Sequence, residues 1–403
     1  MTDAVTPAVD EHRAAELRAR LADRLEAAGH LRSRVWREAV AAVPRHRFVP
    51  AFFRRTDAPQ GTLWEPVTPR RQGVDDWLRA VYTDETLVTQ LDGRLHPTAV
   101  DGPTPGNPTS SSTLPGLVVR MLEDLAPTDS DRVLEVGTGT GYSTALLCHR
   151  LGSSRVASVE YDWATAERAR MSLGACGYRP TLVIGDGLLG HQAGAPYDRL
   201  IATCSVRAVP RPWLRQVRPG GTILTTLGGW LHGSGLARLT VHDQGSATGR
   251  FLPGTVSFMI ARPQAAPPLD AVTALLAQPA EERPARHGPE VLGAWTPRFL
   301  AQLAAPDAQY LGMSTDGGPP LDHLVDVGRR SFATLLPDPD GPGGWRVRQG
   351  GPVRLWDAVE DAVETWRRAG SPPQTAFGLT VKGPHQAVWL GDPDGPRWEL
   401  PTG

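Results

Sequence analysis

Lysine is almost missing from this chain of 403 residues: of 42 basic side chains, only Lys382 is a lysine. Arginine carries the rest beside abundant Ala, Gly and Pro, a composition that reflects genomic base bias and implies no mechanism. Cysteine is scarce as well. The three thiols, Cys148, Cys176 and Cys204, are far apart and odd in number, which excludes a disulfide framework and a zinc knuckle. No apolar run approaches the roughly 20 residues of a membrane helix, so no membrane partner is expected. The opening run Met1–Val5 lacks the basic and then apolar order of a signal peptide, and a cytoplasmic chain is expected. The 42 basic and 43 acidic residues leave a formal charge of −1, and no run forms the basic face that a nucleic-acid partner needs. His46, His96, His191, His232, His287, His323 and His385 are scattered without an i,i+4 pair or a Cys partner, so no metal site is expected. Cys204 and Ser205 follow a strand end, but no Gly-x-Ser-x-Gly elbow makes them hydrolase nucleophiles.

What is present divides the chain. Its length suggests two or three domains at about 100–200 residues each. Leu17, Leu21 and Leu25 recur every fourth residue and predict a helix, followed after Gly29 and the cap candidate Ser33 by a second through Val35, Ala39 and Val43. Residues 54–110 are rich in Pro, Gly and Thr and read as irregular, with Trp64 and Trp77 as apolar anchors. From Leu114, strands alternate with helices: Arg132–Val136, Arg155–Val159, Thr181–Ile184, Asp198–Ala202 and Thr222–Thr226 are the strands of a parallel sheet covered on both faces. Arg238–Val241 and Thr255–Ile260 are expected as an antiparallel edge pair. Residues 263–290 lack periodicity and read as a linker. The region 291–403 holds six of the twelve tryptophans, a helix at Leu355–Trp366 and three strands, enough for a small α+β core of its own.

The chemistry concentrates in Val133-Leu134-Glu135-Val136-Gly137-Thr138-Gly139-Thr140-Gly141-Tyr142. An apolar strand carries an acid near its end, and three alternating glycines then open a helix, where backbone N–H groups can approach a ligand closely. The spacing differs from the Gly-x-Gly-x-x-Gly of dinucleotide binders, and Glu135 would repel a pyrophosphate. Glu160 ends the next strand, where an acid accepts from ribose hydroxyls, and Asp186 in Gly185-Asp186-Gly187 ends the third, where it can accept from an adenine amino group.

With these residues, 15–260 resemble the protein-L-isoaspartate O-methyltransferases, S-adenosylmethionine enzymes with a Rossmann-like sheet. The resemblance is carried further by Arg45–Pro50 (Arg-His-Arg-Phe-Val-Pro), Tyr82-Thr83-Asp84, Ala195-Pro196-Tyr197-Asp198, Val209-Pro210 and Arg218-Pro219-Gly220-Gly221. It implies a Rossmann-like α/β fold with an N-terminal helical segment, to which the residue pattern beyond the linker adds a C-terminal small α+β domain. Residues 1–110 would supply helices and substrate-side loops, 111–262 the methyltransferase domain, 263–290 the linker and 291–403 an accessory domain. It also implies S-adenosylmethionine as cofactor and S-adenosylhomocysteine as product, held by Glu135, Gly137, Thr138, Gly139, Gly141, Glu160, Tyr161, Asp186 and Gly187. The family's Thr-Ile-Ser-x-Pro motif corresponds to Ser111-Ser112-Thr113-Leu114-Pro115, which makes Thr113 and Ser112 the catalytic hydroxyls and Tyr82, Asp84 and Ser111 the substrate side. For Thr113, an ordinary N-cap of the following helix is the alternative.

Two departures refine the expected substrate. Val88–Ser111 is an insert relative to the family's short loop, and the Trp-rich region is expected to lack a counterpart in the compact repair enzymes. Extended relatives of this kind resemble the methyltransferases that accompany ATP-grasp ligases in making graspetides. There the implied reaction is methylation of one Asp in a cyclised precursor peptide, followed by aspartimide formation. The alternatives are a repair enzyme for isoaspartyl residues in general proteins and a non-catalytic escort for a peptide.

Overall fold

In a computed structural model, residues 9–58, 61–314, 318–341 and 343–401 are described; the Met1–Val5 run lies outside them. The chain divides by packing into two units, Met1–Thr203 with Gln216–Leu224, and Cys204–Arg215 with Thr225–Gly403.

The first unit opens with helix Glu11–Ala27, which buries Leu17, Leu21 and Leu25 on one stripe and is capped by Asp10. Helix Arg34–Ala42 follows. Ser33 stands at its N-cap, but the Ser33 hydroxyl donates to Glu123 Oε1 at 2.9 Å instead of capping. A sheet then stands where irregular chain was expected. Strands β1 (Phe52–Ala58), β2 (Gly61–Val67), β3 (Leu87–Leu91) and β4 (Pro108–Ser112) form an antiparallel sheet in the order β2-β1-β3-β4. Only β2 and β3 carry apolar runs that hint at it. β1 begins with Phe52-Phe53 and continues Arg-Arg-Thr-Asp, and β4, Pro-Thr-Ser-Ser-Ser, has no apolar alternation, so pairing defines these two. The Val88–Ser111 insert is thus an extended hairpin rather than a free loop. Its far part is tied back by the Trp64 indole donating to the Gly106 carbonyl at 2.9 Å. Trp77 is buried in helix Val74–Val81.

The strand-helix alternation is as read from the sequence. β5 (Val133–Val136), β6 (Val156–Glu160), β7 (Thr181–Ile184) and β8 (Tyr197–Val206) are parallel, and with β9 (Val217–Leu227) they lie in the order β9-β8-β5-β6-β7. Helices Tyr142–Leu151 and Trp163–Ala175 make the crossovers. The first strand of the series, β5, is flanked by the second on one side and the fourth on the other. This is the switch point of a Rossmann-like sheet, where ligands bind beyond the carboxyl ends of the strands.

In the second unit, β10 (Gly235–Asp243) pairs with β11 (Ser246–Phe251), not with Thr255–Ile260. The expected partner is not a strand and contributes one bridge, Ile260 to Ser205. A two-residue turn at Gln244-Gly245 brings β11 back at once, and its polar sequence, Ser-Ala-Thr-Gly-Arg-Phe, hides it. The 263–290 segment, expected as a linker, holds helix Val272–Leu276 and edge strand β12 (Glu281–Pro284). Leu275 and Leu276 bury themselves against Val325 and Phe332. β12 escapes notice because its side chains are charged: Arg283 reaches Asp357 and Glu360 on helix Leu355–Arg368.

β13 (Gln309–Met313), β14 (Leu321–Asp326), β15 (Ser331–Pro337) and β16 (Trp345–Gly350) complete a second sheet, β12-β16-β15-β14-β13. β17 (Phe377–Lys382), β18 (His385–Leu390) and β19 (Arg397–Glu399) do not close a separate C-terminal core. β17 instead pairs with β11, Ser246 opposite Lys382 through Arg250 opposite Gly378. Trp356 is fully buried and Trp389 nearly so, as core residues are.

Candidate active site

The site is built at the carboxyl end of β5. Gly137 has φ +98°, and a Cβ there would meet the Thr203 hydroxyl at 2.7 Å, so no other residue allows the chain to turn at this point. The Gly137 and Thr138 amides bond to the Val159 carbonyl, which ties the loop to the end of β6. Gly141 is the N-cap of helix Tyr142–Leu151 and brings no capping side chain, leaving amides directed beyond the strand end.

Glu135 lies beneath this loop. It is fully buried and accepts from the Ser143 hydroxyl at 2.5 Å on Oε1, and from Thr144 and Ser158 at 2.5 and 2.8 Å on Oε2. Burial pushes its carboxyl pKa up, and the three hydroxyl donors act in the opposite direction. Thr138, also buried, hydrogen-bonds Ser158 at 2.7 Å. Both therefore brace the glycine turn from within, and their polar atoms are engaged by Ser143, Thr144 and Ser158.

Glu160 is on the open side. Its Oε2 accepts from the Gly139 amide at 2.8 Å and its Oε1 from the Asp162 amide at 3.0 Å. Gly185 donates to the Glu160 carbonyl at 2.9 Å, which sets Asp186 beside it. Asp186 accepts from the Leu188 amide at 2.9 Å. A Cβ on Gly187 would stand 2.5 Å from Val136 Cγ1, so this glycine is what lets the turn approach β5. Tyr161, Trp163 and Leu189, which follow the ends of β6 and β7, are 51, 66 and 62% exposed. Of this apolar fringe the sequence reading named only Tyr161. An aromatic just past a strand-end acid was the signal available for Trp163.

The hydroxyl segment meets the glycine run. A Cβ on Gly139 would lie 3.4 Å from the Ser111 carbonyl oxygen, so β4 and the loop are in van der Waals range. Ser112 is buried and its hydroxyl has no hydrogen-bond partner. Thr113 is half-buried, and it is not the N-cap. Leu114 occupies that position in helix Pro115–Leu125 without a capping side chain. Capping comes from elsewhere: Asp84 Oδ1 accepts from the Gly116 amide at 2.6 Å, and the Thr86 hydroxyl from the Leu114 amide at 3.1 Å. A Cβ on Gly116 would press to 2.5 Å from Asp84 Oδ2, so glycine is needed for that approach. The alternative role for Thr113 therefore falls away.

Tyr82 is not at the open site. It is 2% exposed, with its hydroxyl 2.8 Å from His46 Nδ1. The sequence reading also missed Gln90. Buried on β3, it donates to Asp162 Oδ1 at 3.3 Å and accepts from the Thr109 hydroxyl at 2.9 Å, joining the hairpin to the Glu160 turn. Among the described residues no group of three or more His, Cys, Asp or Glu could hold a metal, and no helix is long and apolar enough to cross a membrane.

Comparison with known proteins agrees with this geometry. Residues 68–248 match the family model described as protein-L-isoaspartate(D-aspartate) O-methyltransferase. Over 215 residues the chain is 33% identical to protein-L-isoaspartate O-methyltransferase 2 of Archaeoglobus fulgidus, spanning 53% of this chain and 79% of that protein. Over 216 residues it is 32% identical to protein-L-isoaspartate O-methyltransferase of Aeropyrum pernix, spanning 53% and 67%. A solved structure titled protein-L-isoaspartate O-methyltransferase shares the fold with a TM-score of 0.52 at 21% identity, covering 93% of this chain and all of that one. Coverage of 93% reaches well into the Trp-rich region, so this solved structure has a counterpart to part of it.

Proposed function

The chain belongs to the protein-L-isoaspartate O-methyltransferase family, S-adenosylmethionine-dependent O-methyltransferases, and on that premise we propose that it methylates the free carboxylate of isoaspartyl residues in peptides or proteins. The observation that supports this reading is the approach of the Ser111 backbone carbonyl to Gly139, which brings the Ser111–Thr113 segment up to the glycine loop.

The residues suit the cofactor that the family uses. Gly137, Gly139 and Gly141 leave the loop open to close contact, Glu160 offers a charge-assisted acceptor for ribose hydroxyls, and Asp186 faces the same strand-end side. Tyr161 supplies an apolar surface. When bound, S-adenosylmethionine supplies an electrophilic methyl group on a sulfonium. The substrate carboxylate is a competent nucleophile at neutral pH, so the protein needs no general base. What the chain provides is alignment and exclusion of water. In this reading the half-buried Thr113 holds one carboxylate oxygen by its hydroxyl, which orients it without the strong neutralisation that an arginine would bring. The Ser112 hydroxyl, expected as its catalytic partner, is buried and, like that of Tyr82, not at the open site. Ser111, beside them on β4, completes the substrate side.

A second reading keeps the same chemistry with a different substrate: one Asp of a precursor peptide cyclised by an ATP-grasp ligase, whose ester then closes to an aspartimide. What favours it is the ordered Val88–Ser111 hairpin, a rigid wall suited to a preorganised peptide. Mass spectrometry with labelled cofactor decides between them on a generic isoaspartyl peptide, its aspartyl isomer, and linear and cyclised precursor peptides. The main reading expects one methyl group on the isoaspartyl peptide and none on the aspartyl isomer. Silence on that peptide, with methylation of a cyclised precursor, replaces it by the second.

A further inference from the structure

Arg45 is the only fully buried arginine among the described residues, and neither the cofactor loop nor the hydroxyls use it directly. Its Nη1 donates to the carbonyls of Val81 at 2.7 Å and Thr83 at 2.9 Å. Its Nη2 donates to the carbonyls of Glu85 at 3.0 Å, Ser112 at 3.3 Å and Thr113 at 3.2 Å. The guanidinium stands 5.8 Å from the ring centre of Tyr142, the first residue of the helix after the glycine run. Among the described residues no carboxylate pairs with it, and Nε has no partner. Burial lowers its pKa to about 10. A cation taken from water and given only carbonyl oxygens is an expensive way to fill space. The oxygens it gathers fall in two segments. One is the turn around Asp84, which caps helix Pro115–Leu125; the other is the end of β4 at the hydroxyl pair.

We propose that Arg45 is a positioning residue for the transfer site, its planar fork fixing the Ser112–Thr113 backbone against the Val81–Glu85 turn so that the Thr113 hydroxyl and the Asp84-capped helix start keep one geometry. The inference rests on the function proposed above and names a residue that acts through Thr113 rather than on the substrate. The four N–H groups on the two Nη atoms, held in one plane, span the two segments, whereas an ammonium has three donors on a point charge and cannot match the fan of carbonyls.

The test is Arg45→Lys in the full chain, read three ways: turnover of an isoaspartyl peptide, S-adenosylhomocysteine affinity by calorimetry, and amide hydrogen exchange. The expectation is a loss of at least tenfold in kcat, a smaller change in KM, cofactor affinity within twofold of wild type, and faster exchange at Ser112, Thr113 and Leu114 with Val133–Val136 unchanged. Arg45→Lys and Asp84→Asn should also be non-additive, because both loosen one helix start. Turnover within twofold of wild type, or additive effects, overturns the proposal. So does a parallel loss of cofactor affinity and β5 protection, including outright failure to fold, since that marks a general structural role. If the wild-type enzyme is silent on the isoaspartyl peptide, the functional reading fails, and the exchange pattern still decides on Arg45.

Discussion

Glu135 and Glu160 sit on neighbouring strands and take opposite roles because their surroundings differ. Three hydroxyls enclose the first; two backbone amides at an open strand end hold the second. If Glu160 accepts from ribose as proposed, Glu160→Ala should cost about 1.5–3 kcal/mol, or roughly ten- to a hundredfold in S-adenosylhomocysteine affinity by calorimetry. An unchanged affinity takes Glu160 out of the site. Thr113→Val keeps the shape and removes the donor, so kcat on an isoaspartyl peptide should fall on the order of 10²-fold while cofactor affinity holds, and Thr113→Ser should keep most activity. The glycine run and its acids were legible in the sequence because their spacing reports backbone geometry directly. The true capping of helix Pro115–Leu125 was not. Its caps, Asp84 and Thr86, lie some thirty residues upstream, and only the fold brings them there. His46 adds a stability effect. Burial lowers its pKa to about 4 from the ordinary 6.5, against a partial counter-effect of Glu11. The unfolded chain therefore takes up a proton first as pH falls, and stability is full above about 6.5 and declines toward about 4. Thermal melts across that window should show a falling Tm, and His46→Gln should flatten the decline.

Among elements, the parallel strands announced themselves because each is a short β-rich run set between helices, and β7, at the sheet edge, is legible in this way although its side chains stay exposed or half-buried. The β2-β1-β3-β4 sheet did not, because Pro66 interrupts β2, β1 turns polar after Phe53, and β4 is polar throughout, so these strands gain definition from their partners. That hidden sheet has a functional consequence. Gln90 on β3 reaches Asp162, whose own amide donates to Glu160 Oε1, so the β3-β4 hairpin is linked to Glu160 by two hydrogen bonds. Gln90→Leu keeps the buried volume and breaks the link. At about 1 kcal/mol for such a bond, S-adenosylhomocysteine should bind three- to tenfold more weakly, although residue 90 lies outside the cofactor loop. If affinity is unchanged while the peptide KM rises, the hairpin serves the peptide alone.

At the scale of the molecule, the second unit resists being trimmed to an accessory role. β11 lies between β10 and β17, so a chain ending at Arg262 would lose β17 and bare the β11 edge from Ser246 to Arg250. Such an edge, with unpaired N–H and C=O groups, is a template for association. The same cut removes Gln386, whose side chain donates to the Val209 carbonyl and accepts from the Val209 amide, both at 2.8 Å, where Val209 is 1% exposed. The truncated chain should therefore elute as aggregate in size-exclusion chromatography. A monomeric fragment that binds S-adenosylhomocysteine would show the C-terminal strands to be dispensable for folding. The milder variant Gln386→Leu separates core from peptide recognition. It leaves two buried backbone groups unsatisfied, about 1–3 kcal/mol each, so Tm should fall by several degrees. At 25 °C the folded protein should keep the wild-type KM for an isoaspartyl peptide, because Gln386 reaches backbone within its own unit and no element of the candidate site. A rise in KM at unchanged Tm would instead assign these strands to the peptide, and the buried Trp389 beside them on β18 would become the first residue to test for contact with it.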